Sequence, residues 1–194
     1  DDTLIGGEGD DTLISVSGNN TLDGGANNSG GDWVYYNQKL VALNLNMKNV
    51  DSSGYAIANF GSETDKLKEI ENIRGTIKAD FIGGNDQNNT LDAFMGDGNT
   101  LVGSGGDDIL NGGDGIDVVS YASATENLYI DLGVTTPVSI GTGYGTDTFI
   151  SIEGAIGGSG NDTLIGYKNV YLDGGTGFDT YYIKSGKIKD SDGK

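Results

Sequence analysis

Large apolar residues return along this chain at a spacing of about nine. Leu4, Leu13, Leu22 and Val34 form one run, Ile82, Leu91, Leu101, Leu110 and Val119 a second, and Leu164, Leu172 and Tyr181 a third. Two places before each stands Asp2, Asp11, Asn20 or Asp32 in the first run and Asp80, Asn89, Asn99, Asp108 or Asp117 in the second. In the third run the places are taken by Asp162, Val170 and Asp179. The complete unit reads Gly-Gly-x-Gly-x-Asp-x-U-x, with U the apolar residue. An internal repeat outranks local signals, because missing it misassigns the whole fold. Apolar residues held in this register are expected to stack as a ladder inside a narrow core. The glycines between them predict tight turns with φ > 0 or close backbone approach.

Two longer segments, 36–74 and 121–156, interrupt the count and resemble each other. Both follow an aromatic strand, Trp33-Val34-Tyr35-Tyr36 or Val118-Val119-Ser120-Tyr121. Both continue with period-two alternation, Val41/Leu43/Leu45/Met47 and Leu128/Ile130/Leu132, the mark of half-buried strand. Asp65 and Glu71 match Asp147 and Glu153, and Asp80 matches Asp162, at one constant offset, so the chain carries an internal duplication. Tyr144 to Phe149 reads as a worn repeat, which returns the second insert to the same coil. The expected organisation is one elongated module over 1–194. Its repeat blocks are 1–35, 75–120 and 157–182, its inserts 36–74 and 121–156, and its capping tail 183–194.

Composition narrows the class. Of 194 residues 35 are glycine and one, Pro137, is proline. Glycine costs roughly 1 kcal/mol per helical position relative to alanine, which leaves an all-β chain. Asp and Glu number 29 against 11 Lys and Arg, a net charge of −18. Phosphate affinity is built on Lys and Arg, so no nucleic-acid partner is expected. There is no cysteine and no histidine. That removes disulfides, thiolate metal sites and the commonest general base. No apolar run approaches the ~18 residues of a membrane helix. The chain opens and closes in mid-motif, which leads us to expect a piece of something longer. Such acidity gives solubility in the simplest case. Carboxylates kept in register with an apolar ladder point instead to cations, although Asn in these places also serves as an ordinary turn residue.

These motifs resemble the RTX (repeats-in-toxin) family of secreted bacterial proteins, most closely at Gly6–Ile14, Gly103–Asn111, Gly112–Ser120, Gly157–Ile165 and Gly174–Tyr182. The ending, Asp179 to Ile183 and then Lys189 to Gly193, is similar to the close of such arrays. The resemblance implies a right-handed parallel β-roll with two nonapeptides per turn. It also implies that several Ca2+ ions sit between glycine turns two repeats apart, on carbonyls and sixth-place carboxylates. Calcium takes six to eight hard oxygens, and glycine lets carbonyls turn toward an ion without steric cost. Carried over residue by residue, the pairs are Asp11 with Asp32, and Asp162 with Asp179. Mixed pairs are Asp2 with Asn20, Asp80 with Asn99, Asn89 with Asp108, and Asn99 with Asp117. Asp162 and Asp179, with Gly158, Gly160, Gly174 and Thr176, make the strongest expected site. The Asp11–Asp32 site, with Gly7 and Gly9, is expected to be compromised by extra residues at Asn27-Asn28-Ser29. Asn-bearing pairs are expected to bind more weakly or to be empty, and the coil at Val170 to close by packing alone. Asp147 is counted as a further ligand, while Asp65, Glu71 and Glu153 are either ligands or strand-end residues.

The resemblance further implies a calcium-dependent folding module of a type-I-secreted toxin, adhesin or hydrolase. Such a module is secreted, extracellular or on the bacterial surface, is a monomer, and has the type I secretion apparatus as its partner. Catalysis is not expected, since no Ser/His/Asp set, zinc signature or phosphate loop is present. Paired carboxylates could serve a glycosidase, but each ordered Asp is better explained as a ligand. A ligand-binding face for glycan, surface or ice is the alternative. The Thr residues at Thr3, Thr12, Thr21, Thr90, Thr100 and Thr163 motivate it, although Thr is also simply a good strand residue.

Overall fold

A computed structural model describes residues 1–167 and 169–184. Every regular element among them is a strand. The first repeat block forms β1 (Thr3–Glu8), β2 (Thr12–Ile14), β3 (Thr21–Ala26) and β4 (Trp33–Tyr35). The first insert forms β5 (Asn44–Asn46), β6 (Ala56–Phe60), β7 (Glu63–Lys68) and β8 (Asn72–Arg74). The second block gives β9 (Phe81–Gly83), β10 (Thr90–Asp92), β11 (Thr100–Val102), β12 (Ile109–Asn111) and β13 (Val118–Ser120). The second insert gives β14 (Tyr129–Asp131), β15 (Val138–Gly141), β16 (Gly145–Ile150) and β17 (Gly154–Ile156). The third block gives β18 (Thr163–Gly166), β19 (Tyr171–Asp173) and β20 (Thr180–Ile183).

Within the blocks, successive strands alternate between two sheets, and each pairs in parallel with the strand two repeats on. Leu4 meets Leu22, Leu13 meets Val34, Leu101 meets Val119 and Leu164 meets Tyr181. This is the all-β parallel roll that the resemblance to the RTX family implies. One sheet runs β1-β3-β7-β6-β5-β9-β11-β13-β17-β19. The other runs β2-β4-β8-β10-β12-β16-β15, and β14-β18-β20 continues beyond it with β14 packed beside β15.

The apolar rungs point inward. Leu22, Val34, Ile82, Leu91, Leu101, Leu110, Val119 and Leu164 have no exposed surface, while the terminal rungs Leu4 and Tyr181 are half-buried. Burying an aliphatic side chain contributes about 1.5–3 kcal/mol, so the ladder is the main apolar stabilisation.

Both inserts return to the roll. Leu67 of β7 pairs with Leu22, Ile73 of β8 with Val34, Phe149 of β16 with Leu110, and Ala155 of β17 with Val119. Each insert also adds an antiparallel strand, β6 against β7 in the first and β15 against β16 in the second. Leu43, Leu45 and Met47 are buried as the alternation predicts, but Val41 is 52% exposed, because that strand begins only at Asn44. β1 and β3 are longer than the repeat suggests: the ladder runs on through Gly7 opposite Gly25. Of the proposed capping tail, Ile183 ends β20, whereas Lys189 to Gly193 lie outside the described residues.

Candidate metal sites

The glycine turns explain themselves sterically. A Cβ on Gly6 would lie 2.5 Å from the Gly24 carbonyl oxygen and 2.7 Å from Asp11 Oδ2. On Gly112 it would meet Ser151 O at 2.2 Å and Asp117 Oδ2 at 2.8 Å, and on Gly157, Asp162 Oδ2 at 2.3 Å and Gly174 O at 2.8 Å. The first glycine of a unit is therefore bare because two oxygens occupy that side of it. One belongs to its own sixth-place carboxylate and the other to a carbonyl of the adjoining turn. At the fourth place glycine often takes the left-handed region: Gly9, Gly18, Gly106, Gly115, Gly145 and Gly177 all have positive φ.

The sixth places form a ladder of their own. Each side-chain oxygen accepts the backbone N–H of the sixth residue one coil earlier. Asp2 N–H donates to Asn20 (2.9 Å), Asp11 to Asp32 (2.7 Å), Asp80 to Asn99 (2.8 Å) and Asn89 to Asp108 (2.8 Å). Asn99 N–H donates to Asp117 (2.9 Å) and Asp162 N–H to Asp179 (2.9 Å). All six expected pairs are thus neighbours. The additional residues at Asn27-Asn28-Ser29 do not break the Asp11–Asp32 pair. The chain wraps instead around Asp10, whose carboxylate accepts the N–H groups of Asn28, Gly30 and Gly31.

The insert acids occupy the same slot. Asp65 accepts the Asn20 N–H (2.8 Å), Glu71 that of Asp32 (2.8 Å), Asp147 that of Asp108 (3.0 Å) and Glu153 that of Asp117 (3.0 Å). Leu43 and Leu128 donate to Asp80 and Asp162 and so fill the slot without a carboxylate. The sequence reading missed a second ladder at the fifth place, which runs the other way. Asp1 accepts the Asn19 N–H, Asn19 that of Thr64, Asp107 that of Thr146 and Asn161 that of Phe178, all at 2.8–2.9 Å. Its signal was present in the doublets Asp1-Asp2, Asp10-Asp11, Asn19-Asn20, Asn88-Asn89, Asp107-Asp108 and Asn161-Asp162.

The sites differ in the second carboxylate oxygen. Oδ2 of Asp11, Asp32, Asp108 and Asp117 is buried and has no hydrogen-bond partner. An unpaired buried charge is costly, so these four oxygens call for a positive partner. At Asp162, Asp80, Asp65 and Asp147 the oxygen is occupied. Asp162 Oδ2 accepts the Gly158 N–H (2.9 Å), and Asp80 Oδ2 that of Thr76 (2.6 Å). Ser15 Oγ donates to Asp65 Oδ2 (2.7 Å), and the Tyr121 hydroxyl donates to Asp147 Oδ2. At the Asn places the amide nitrogen supplies the positive end itself. Asn99 Nδ2 donates to Gly96 O (2.7 Å) and Asp117 Oδ1 (2.8 Å), and Asn20 Nδ2 to Ser17 O (3.0 Å).

Titration follows this geometry. Burial raises the Asp108 carboxyl to about 8 against its hydrogen bond from Asn89, and the charges of Asp147 and Asp107 add to the effect. Asp147 is lifted to about 6, again chiefly by burial. Asp32, Asp80 and Asp117 are raised for the same first reason. Among the described residues no three acidic side chains converge on one point. A cation here would be held by one or two carboxylates together with turn carbonyls, the hard-oxygen set that calcium takes. Gly158 O accepts the Thr176 N–H (2.9 Å), which ties the two turns expected to hold the last ion. Asp179, in the outermost of these turns, is only half-buried.

The donor set, the bare first glycines and the unpartnered carboxylate oxygens all fit calcium. No curated protein matches the chain. The RTX calcium-binding nonapeptide repeat does match it, in four copies over residues 1–34, 95–119 and 155–169. The match lies on the repeats that build this roll, which are calcium-binding repeats of a structural kind, and it supports the RTX haemolysin-type repeat family.

Proposed function

We propose that the chain is one elongated module that folds when extracellular calcium binds its glycine turns, and that it assists type I secretion and folding of a larger toxin, adhesin or hydrolase. The observation that carries this reading is the set of four buried, unpartnered Oδ2 atoms on Asp11, Asp32, Asp108 and Asp117. Each would hold an ion together with carbonyls of the adjoining glycine turn. Such an ion neutralises stacked carboxylates and cross-links consecutive coils. Asp162 and Asp179 would form a further site once Asp162 Oδ2 leaves the Gly158 N–H. The sites with Asn20, Asn89 and Asn99 would bind more weakly, because their amides already satisfy the carbonyls an ion would use.

Secretion agrees with the energetics. A chain of −18 charge resists compaction until cations bind, and binding to the native state alone adds its free energy to folding. Extracellular modules typically bind calcium at 10⁻⁴–10⁻³ M, so the roll would stay open in a calcium-poor cytosol and close outside. Among the described residues no helix is long and apolar enough to cross a membrane. Calorimetric calcium titration with circular dichroism before and after tests the proposal. Saturable binding with gain of strand signal is expected, and a full strand signal in EDTA would refute it.

A second reading, a glycan-binding face, has one observation in its favour. On the outer face of one sheet Trp33 and Tyr35 stand edge to face at 5.6 Å, and Arg74 lies 4.7 Å over the Tyr35 ring. Glycan-array binding by the calcium-loaded chain, lost in Trp33→Ala, would support that reading.

A further inference from the structure

The two inserts break the calcium ladder at equivalent seams, and at both the place of the ion is taken by the protein's own hydrogen-bond donors. In a regular unit the residue after the strand is the first glycine of the next turn. After β4 and β13 it is Tyr36 and Tyr121. Both tyrosines have no exposed surface, and each turns inward to the last sixth-place carboxylate before the seam. Tyr121 donates its hydroxyl to Asp147 Oδ2. The Tyr36 hydroxyl faces the Asp65 carboxylate without closing a full hydrogen bond, and Ser15 Oγ supplies the donor at 2.7 Å. Each tyrosine packs on an aromatic from its insert's hairpin: Tyr36 on Phe60 at 4.8 Å, and Tyr121 on Tyr144 at 5.7 Å.

The first seam has a further closure. The loop after Tyr36 stacks on the turn that ends in Asp65. Lys39, almost wholly buried, crosses from the one to the other: its Nζ lies 3.0 Å from Glu63 Oε2 and 4.3 Å from the centre of the Phe60 ring. Where stacked turns elsewhere need a dication between them, an ammonium does the work here. Asp65 and Asp147 thus differ from Asp11, Asp32, Asp108 and Asp117, whose equivalent oxygens have no donor.

We propose that the two seams are calcium-independent locks. On the calcium reading above, they keep each hairpin and its tyrosine folded in the metal-free chain and set the register on which the glycine turns close when calcium arrives. The residues that hold them are Tyr36, Ser15, Asp65, Lys39 and Glu63 in the first, and Tyr121, Asp147 and Tyr144 in the second.

Hydrogen–deuterium exchange on the whole chain, in calcium and in EDTA, tests this. In EDTA, peptides covering 55–75 and 136–156 are expected to exchange about tenfold more slowly than those covering the glycine turns at 1–20 and 95–117, a local stability difference readable by this method. Tyr121→Phe should abolish the residual protection over 136–156 and leave 55–75 untouched, while Lys39→Met should do the reverse. Calcium-dependent protection spread evenly over inserts and turns would overturn the lock proposal alone. Turns as protected as inserts in EDTA would overturn the calcium reading and the lock with it. Should either variant fail to fold, the wild-type contrast in EDTA still decides.

Discussion

At the scale of single residues, the turn chemistry reduces to which atoms stand opposite a carboxylate oxygen. Gly103 has Asp108 Oδ2 at 2.6 Å and Asp147 Oδ2 at 3.2 Å from where a methyl would sit. Gly103→Ala therefore displaces the carboxylate. It is expected to weaken calcium binding at least tenfold, about 1.4 kcal/mol by the usual conversion, as read by calorimetry. Ser151 takes the left-handed fourth place with φ 50°, where most turns use glycine. Ser151→Gly removes a backbone penalty of about 1–2 kcal/mol per residue and should raise the melting temperature in calcium. This position also shows where the sequence became hard to read. Glu69 and Ser151 stand where the pattern calls for glycine, so the units ending in Glu71 and Glu153 carry no visible signature. Their sixth and eighth places nonetheless keep the spacing, with Ile73 and Ala155 on the rungs.

At the scale of the turn pair, the balance between donor and cation decides each site. In Asn99→Asp the amide that now bonds Asp117 Oδ1 is replaced by a second carboxylate. Calcium affinity should rise, and the metal-free chain should lose strand signal. The opposite substitution, Asp117→Asn, should cost one ion in the calorimetric stoichiometry. Protons compete for the same oxygens. Folded Asp108 is raised to about 8, first by burial, from an unfolded value near 4. The neutral form therefore stabilises the metal-free roll below about pH 4, and that contribution is lost as pH climbs through about 8. Calcium-free protein should show more strand signal at pH 5 than at pH 8. Calcium should correspondingly bind more tightly as pH rises over that window, with protons released on binding. Which oxygens are free was not legible in sequence, because Asp108 and Asp162 share one motif while only the second turns onto its own Gly158 N–H.

At the scale of the whole molecule, the repeat spacing made the rungs readable in the sequence, and the RTX resemblance added the roll and its six sixth-place pairs. The inserts were readable as strands that return to the coil, through the worn repeat Tyr144 to Phe149, but not in their route. Their route depends on pairings between residues far apart, such as Leu45 with Ile82 and Leu22 with Leu67, which no local period encodes. Those pairings give the inserts a geometric role. The first hairpin places β6 and β5 in one sheet between β7 and β9, where the opposite sheet passes directly from β8 to β10. The second places β15 and β14 on that opposite side, between β16 and β18, where the first sheet passes directly from β17 to β19. Strands lie about 4.8 Å apart, so each hairpin lengthens one side of the rod by about 10 Å. Two strands added first on one side and then on the other would act as opposed wedges, the first tipping the rod's axis and the second tipping it back. A chain with either wedge excised would end as a bent rod, and one with both removed as a straight rod.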